Sequence, residues 1–214
     1  MYQYLLFDLD GTLTDPYEGI TKSFQYALAS FGIEEKQEDL TWVIGPPLID
    51  AFMGYYGFSK EQGEAAVAKY RERFSVTGLY ENQVYPGILE LLEKLQKAGK
   101  TICLATAKPE IFAKRILEKF GLAPYFSVVV GAELDGTRNY KKDVIAEVLL
   151  QLGNPPLEKV LMIGDRKQDI DGAKACGIKS MGVRFGYAEP GELENAGADY
   201  AVNTVAELTG FLLV

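Results

Sequence analysis

From residue 83 onward, short apolar runs alternate with segments of helical period, the sequence form of a doubly wound α/β domain with a parallel sheet. The runs predict strands over 3–8, 101–105, 126–130, 159–163 and 178–183, with a weaker one at 199–202. Between them, Ile88, Leu91, Leu92 and Leu95 form one helical stripe before Gly99, and Ile116, Leu117 and Phe120 form another between Pro109, expected in the first turn, and Gly121. Val144, Ile145, Val148, Leu149 and Leu152 form a third before Gly153. Residues 16–82 break the rhythm with helical patterns and no convincing strand. The expected organisation is an α/β core from 1–15 and 83–214, carrying a helical insertion at 16–82. Aromatic residues of the insertion, among them Phe24, Trp42, Phe52, Tyr56 and Phe74, could stack a base, but small helical cores are themselves built from aromatics.

Composition narrows the chemistry. The 214 residues suffice for one good-sized core with an insertion. Acidic residues outnumber basic ones 30 to 22, and no basic run interrupts that balance, so nucleic acid polymers and anionic membranes are poor partners. No segment has the length of an apolar membrane span, and charge at Asp8 and Asp10 precedes any signal-like stretch, so a cytoplasmic location is expected. Cys103 and Cys176 lie in apolar surroundings without a CxxC pattern and are expected as reduced, packing thiols. The chain contains no histidine. Ser-His-Asp, Cys-His and phosphohistidine chemistry are thereby excluded, leaving carboxylates, lysines and hydroxyls.

Four segments place such groups at strand ends or helix starts, where crevices of parallel sheets bind ligands. In Leu5-Leu6-Phe7-Asp8-Leu9-Asp10-Gly11-Thr12-Leu13-Thr14, an apolar run ends on two carboxylates. One carboxylate of such a pair can attack phosphorus while the other exchanges protons, and a hard cation such as Mg2+ relieves their repulsion. In Thr106-Ala107-Lys108-Pro109, a hydroxyl and backbone amides meet a helix N-terminus, which attracts phosphate; read alone, such a threonine is most often a cap. In Arg138-Asn139-Tyr140-Lys141-Lys142-Asp143, a lysine before a helix expected near Val144 could neutralise a phosphoryl group or simply face solvent. In Val160-Leu161-Met162-Ile163-Gly164-Asp165-Arg166-Lys167-Gln168-Asp169, two acids one helical turn apart follow a strand, as in a metal site or an acidic helix start. Gly99-Lys100-Thr101 is no P-loop, because Lys94 stands where the earlier glycine is required and a strand follows instead of preceding it.

Together the four segments resemble, in order and spacing, the four motifs of the haloacid dehalogenase superfamily, and the likeness extends over essentially the whole chain. The pattern is most similar to the phosphoglycolate phosphatase and 5'-nucleotidase-like branch, whose insertion is a helical C1 cap. The resemblance implies Asp8 as nucleophile, Asp10 as general acid and base, and Thr106 and Lys141 as phosphoryl-oxygen ligands, with the amides of Ala107 and Lys108 beside them. Magnesium would be held by Asp8, the backbone carbonyl of Asp10 and Asp165, with Asp169 in direct or indirect support. Lys141 rather than Lys142 matches the family's Arg-x-x-Lys spacing from Arg138. The implied substrate is a small phosphate monoester, hydrolysed through an aspartyl-phosphate.

Departures from the family's other branches narrow this further. Dehalogenases lack the second motif-one aspartate, so Asp10 indicates phosphate chemistry. The alternative of a phosphomutase is weakened because the similar β-phosphoglucomutases use a cap histidine and arginine, and Gly45-Pro46-Pro47-Leu48 offers neither. A response-regulator receiver places its phosphorylated aspartate on a middle strand, whereas Asp8 follows the first. A non-catalytic phosphate-binding regulator is the remaining alternative, although every required chemical group is present. The insertion would fold over the crevice and select the leaving group.

Overall fold

The computed structural model describes residues 1–213. The chain divides into two compact units, one formed by 1–15 with 84–214 and the other by 16–83. The first begins with β1 (Tyr4–Phe7) and β2 (Thr14–Asp15). The second contains α1 (Tyr17–Ala29), α2 (Leu48–Tyr56) and α3 (Lys60–Phe74). β3 (Gln83–Val84) returns the chain and pairs with β2 in a two-stranded ribbon. There follow α4 (Ile88–Lys97), β4 (Thr101–Pro109), α5 (Glu110–Lys119), β5 (Val128–Ala132) and α6 (Lys141–Gln151). β6 (Val160–Gly164), α7 (Lys167–Ala175), β7 (Lys179–Val183), α8 (Glu192–Asn195), β8 (Tyr200–Val202) and α9 (Val205–Leu212) complete it.

The main sheet has strand order β5-β4-β1-β6-β7-β8 and is parallel throughout. Its strands are those expected from the apolar runs, shifted by one or two residues at most, except that β4 continues through Thr106, Ala107 and Lys108 to Pro109 with an irregularity after Ala105. Pro109 therefore precedes the first turn of α5 instead of occupying it. Helix α6 likewise starts at Lys141, earlier than the apolar stripe alone indicates, because its first turn is polar.

One sheet face is filled by Leu6, Cys103, Ala105, Val130, Val160 and Met162, which pack against Val144, Ile145, Val148 and Leu149 of α6 and Ala173 of α7. Cys103 is a buried free thiol whose ionisation is pushed up to about 12 by burial, and Cys176 is a half-buried free one. The stripe of α4 is wholly buried, as a ~100° apolar face against a sheet requires. In the unit of 16–83, Phe24 and Phe52 stack at 4.3 Å between ring centroids, and Tyr70 and Phe74 at 5.1 Å; all four are buried, so they are core and not a base platform. Among the described residues, no helix is long and apolar enough to cross a membrane.

Candidate active site

Register brings the chemical groups together. Phe7 is paired with Leu104 on one side and with Ile163 on the other, and the Asp8 amide donates to the Ile163 carbonyl at 2.9 Å. Asp8 and Asp165 therefore follow β1 and β6 at the same end of the sheet, and Thr106 lies in the adjacent β4 just past the level of that end. β1 is also where the chain order reverses, with β4 on one side and β6 on the other, and open parallel sheets bind ligands at such a point.

Beyond β1 the backbone folds tightly: the Leu13 and Thr14 amides donate to the Leu9 carbonyl at 2.9 and 3.0 Å, and the Gly11 amide to that of Thr14 at 2.8 Å. Gly11 has φ +81°, and any side chain there would collide with the Asp165 carboxylate. Glycine is therefore required between motif one and motif four for two reasons, conformation and clearance.

Asp8, Asp165 and Asp169 each offer an oxygen within 4.8 Å of the others, and all three are buried. Lys141 Nζ lies 2.8 Å from Asp8 Oδ1 and 2.7 Å from Asp169 Oδ1, and donates to the Ala105 carbonyl at 3.0 Å. Although within ion-pair distance of Lys141, Asp8 Oδ1 and Asp169 Oδ1 accept no aligned hydrogen bond. Lys142, by contrast, is exposed on α6, so the structure separates the two candidate lysines. The arginine upstream of them serves the loop: Arg138, at φ +54°, donates to the Gly131 carbonyl and pairs with Glu110 and Glu133.

Asp169 divides its two oxygens between two partners. Its Oδ2 accepts the Arg166 amide at 3.1 Å in a capping arrangement at the start of α7, while Oδ1 faces Lys141. The helix-start and metal-site readings of the Asp165–Asp169 spacing are thus compatible, because a carboxylate has two oxygens to share.

Asp10 stands apart from the three-carboxylate cluster. Its Oδ2 pairs with Lys108 Nζ at 2.6 Å, both groups being buried. Thr106 is buried and its hydroxyl oxygen accepts the Lys108 amide at 3.2 Å. With α5 beginning only at Glu110, the Ala107 and Lys108 amides belong to the extension of β4 and not to a free helix end. The Lys108 side chain in addition meets Asp10, a contact that the sequence reading did not include.

Burial dominates the electrostatics. It raises the Asp165 carboxyl well above the ordinary range, reinforced by Asp169 and Asp8. It raises Asp169 to about 6 against the opposing pull of Lys141, and raises Asp10 against that of Lys108. For Lys141, burial works the other way, but Asp169 and Asp8 outweigh it and hold the ammonium above its usual value. Such a cluster resists full ionisation until a cation joins it.

A haloacid dehalogenase-like hydrolase model matches residues 5–183. The chain belongs to the haloacid dehalogenase-like hydrolases. A relative from Pseudomonas aeruginosa described as a 5'-nucleotidase is 49% identical over 90% of this chain and 87% of its own length. A phosphoglycolate phosphatase from Vibrio parahaemolyticus is 32% identical over 95% and 93% of the two chains. The tyrosine-protein kinase PtkA of Mycobacterium tuberculosis is 42% identical over 86% of this chain, which spans 63% of it. The crystal structure of a predicted phosphatase from Clostridium acetobutylicum superposes with TM-score 0.97 at 46% identity, covering 100% and 99% of the chains. Within the haloacid dehalogenase-like hydrolases the chain falls with the phosphatases.

The divalent cation implied for a haloacid dehalogenase-like phosphatase has suitable donors here. All are carboxylate oxygens, the hard ligands Mg2+ takes, and two of them lack aligned donors from the protein. Asp8, Asp165 and Asp169 are the side chains that could hold it. Sequence reasoning missed two groups that hold Asp165. Thr12 Oγ1 donates to Oδ1 at 3.3 Å, and the Tyr187 backbone amide donates to Oδ2 at 2.8 Å. The first lies within motif one and could have been found there; the second is a main-chain group in an irregular loop and leaves no residue-type signal.

Proposed function

We propose that this chain is a Mg2+-dependent phosphatase of small phosphate monoesters, nucleoside monophosphates or phosphoglycolate-like acids, acting through an aspartyl-phosphate on Asp8. The observation that carries this reading is the meeting of Asp8, Asp165 and Asp169 around Lys141 at the sheet's switch point. The relatives named for 5'-nucleotide and phosphoglycolate hydrolysis support the substrate class.

The chain's own residues account for the chemistry as follows. An Asp8 carboxylate oxygen attacks phosphorus in line with the leaving oxygen, forming the aspartyl O–P bond as the ester P–O bond breaks. Lys141 and Thr106 hold the equatorial oxygens, where charge accumulates. Asp10, kept protonated more readily by its burial, gives its proton to the departing alkoxide. As a carboxylate it then takes a proton from the water that attacks the aspartyl-phosphate, releasing inorganic phosphate and restoring Asp8. Lys108 holds the Asp10 side chain in place between these two transfers. Bound Mg2+ supplies positive charge that neutralises the carboxylate cluster and the phosphoryl oxygens.

The deciding experiment measures phosphate release from a panel containing nucleoside 5'-monophosphates, 2-phosphoglycolate and sugar phosphates, with Mg2+ and with excess EDTA. Release with Mg2+ and its loss in EDTA are expected. Undiminished release in EDTA, or none from any member, would end this reading. A tyrosine peptide with ATP, read for phosphotyrosine and ADP and not for released phosphate, belongs beside this panel because of the relative named as a tyrosine kinase.

Asp10→Ala gives a second expected result. With alkyl phosphates, kcat is expected to fall by about 10^2 to 10^4-fold, and with aryl phosphates of good leaving ability by much less, since these depart with little protonation. Equal losses across a leaving-group series would remove Asp10 as the acid.

A further inference from the structure

The loop following β7 contains a residue that no catalytic motif includes. Both oxygens of the fully buried Asp165 carboxylate are fixed by donors, Thr12 on Oδ1 and the Tyr187 amide on Oδ2. Thr12 is part of the tight turn after β1, but Tyr187 lies in irregular chain, so its amide needs anchoring from elsewhere. The structure shows several anchors, among them a side-chain hydrogen bond between Tyr187 and Tyr85. The Tyr187 hydroxyl donates to Asp15 Oδ1 in β2. The Phe185 ring meets Tyr85 edge-on, with centroids 5.5 Å apart. Gly186 passes so close to the Gly11 carbonyl and the Asp165 side chain that any Cβ would strike both.

We propose that Tyr187 is a positioning residue for Asp165: its hydroxyl bond to Asp15 holds its backbone amide on Asp165 Oδ2, and so orients that carboxylate for the divalent cation. The inference rests on the metal reading given above. Donors behind a ligating carboxylate fix which lone pair faces the cation, and losing such a partner characteristically weakens metal binding. A phenol hydroxyl is a donor near neutral pH, and here the acceptor it meets is the Asp15 carboxylate. The bond spans 172 residues of sequence, linking β2 near the start of the chain to the loop after β7 that lies against Asp165.

The test uses Mn2+ as the probe, with free Mn2+ read by electron paramagnetic resonance and Mg2+ as competitor. Tyr187→Phe keeps the ring and removes the anchor. Its Mn2+ dissociation constant is expected to rise about 10-fold, with the Mg2+ concentration for half-maximal phosphate release rising in step and kcat at saturating Mg2+ moving far less. Asp15→Leu is expected to reproduce that shift, Asp15→Asn to restore near-normal affinity through its amide oxygen, and the Tyr187→Phe/Asp15→Leu double variant to be no weaker than either single one. Should Tyr187→Phe fail to fold, the Asp15 pair carries the test alone. An unchanged Mn2+ affinity in Tyr187→Phe or Asp15→Leu, with only thermal stability or kcat reduced, would overturn the proposal. A wild-type-like affinity in Asp165→Asn would instead overturn the metal reading on which it stands.

Discussion

Asp8→Asn is expected to lower kcat by at least about 10^3-fold, the scale of loss when a reaction's nucleophile is removed. The amide oxygen cannot form the acyl phosphate, and the neutral side chain is also a poorer ligand for a hard cation. The fold should survive. Asp8 follows a strand bonded to neighbours on both sides, asparagine has nearly the same shape, and Lys141 retains Asp169 as a partner. Circular dichroism together with phosphate release therefore separates chemistry from folding. Wild-type-like turnover in a folded variant would show that the nucleophile lies elsewhere.

Lys141→Met is expected to show the next largest loss, and in two observables. Activity should fall by about 10^2 to 10^3-fold, as when a preorganised charge-stabilising group is removed. Stability should fall as well, by about 3–5 kcal/mol without metal, because Asp8 and Asp169 are left buried without their shared cation. Mg2+ should return part of that stability, since it offers the same carboxylates a substitute charge. Lys141→Arg is expected to rescue neither property. The lysine stem lies against Gly172 of α7, where a Cβ would come within 2.9 Å of Lys141 Cγ, and a planar fork cannot replace a compact ammonium there. Lys142→Ala, on the exposed side of α6, should turn over like the wild type. Urea melts with and without Mg2+, run beside initial rates, check all of these; an innocuous Lys141→Met with an inactive Lys142→Ala would exchange the two lysines.

Much of this site was legible in the sequence because strand ends are marked twice, by where apolarity stops and by which polar residue follows. The run Leu5-Leu6-Phe7 and the run Leu161-Met162-Ile163 locate β1 and β6, and Asp8 and Asp165 then fall at one end of a parallel sheet. The resemblance to the haloacid dehalogenase superfamily, stated from the four motifs, agrees with the matched family model. Where the reading fell short, the missing information was not in residue type. The extension of β4 past Ala105 depends on an irregular register with β5, and the Lys108–Asp10 pair beside it has no signal in the spacing of the two residues. The early start of α6 is polar and gave no periodic signal. Helices α8 and α9 were not anticipated; α8 has only four residues. Gly186 and Tyr187 act through clearance and a main-chain amide, for which a sequence carries no distinct letter.

The central place of β1 has a consequence for how this enzyme loses activity. Sheet edges and termini open in small, low-energy fluctuations, whereas a strand hydrogen-bonded on both flanks opens only with the domain. Asp8 sits at the end of such a strand, and its partners Asp165 and Lys141 are fastened to the neighbouring β6 and β4, the latter through the Ala105 carbonyl. Denaturant should therefore abolish turnover in a single step coincident with global unfolding, and amide exchange at Leu5, Leu6 and Phe7 should be as slow as the slowest in the molecule. Catalysis in this chain is thus expected to report on its folded state in an all-or-none way.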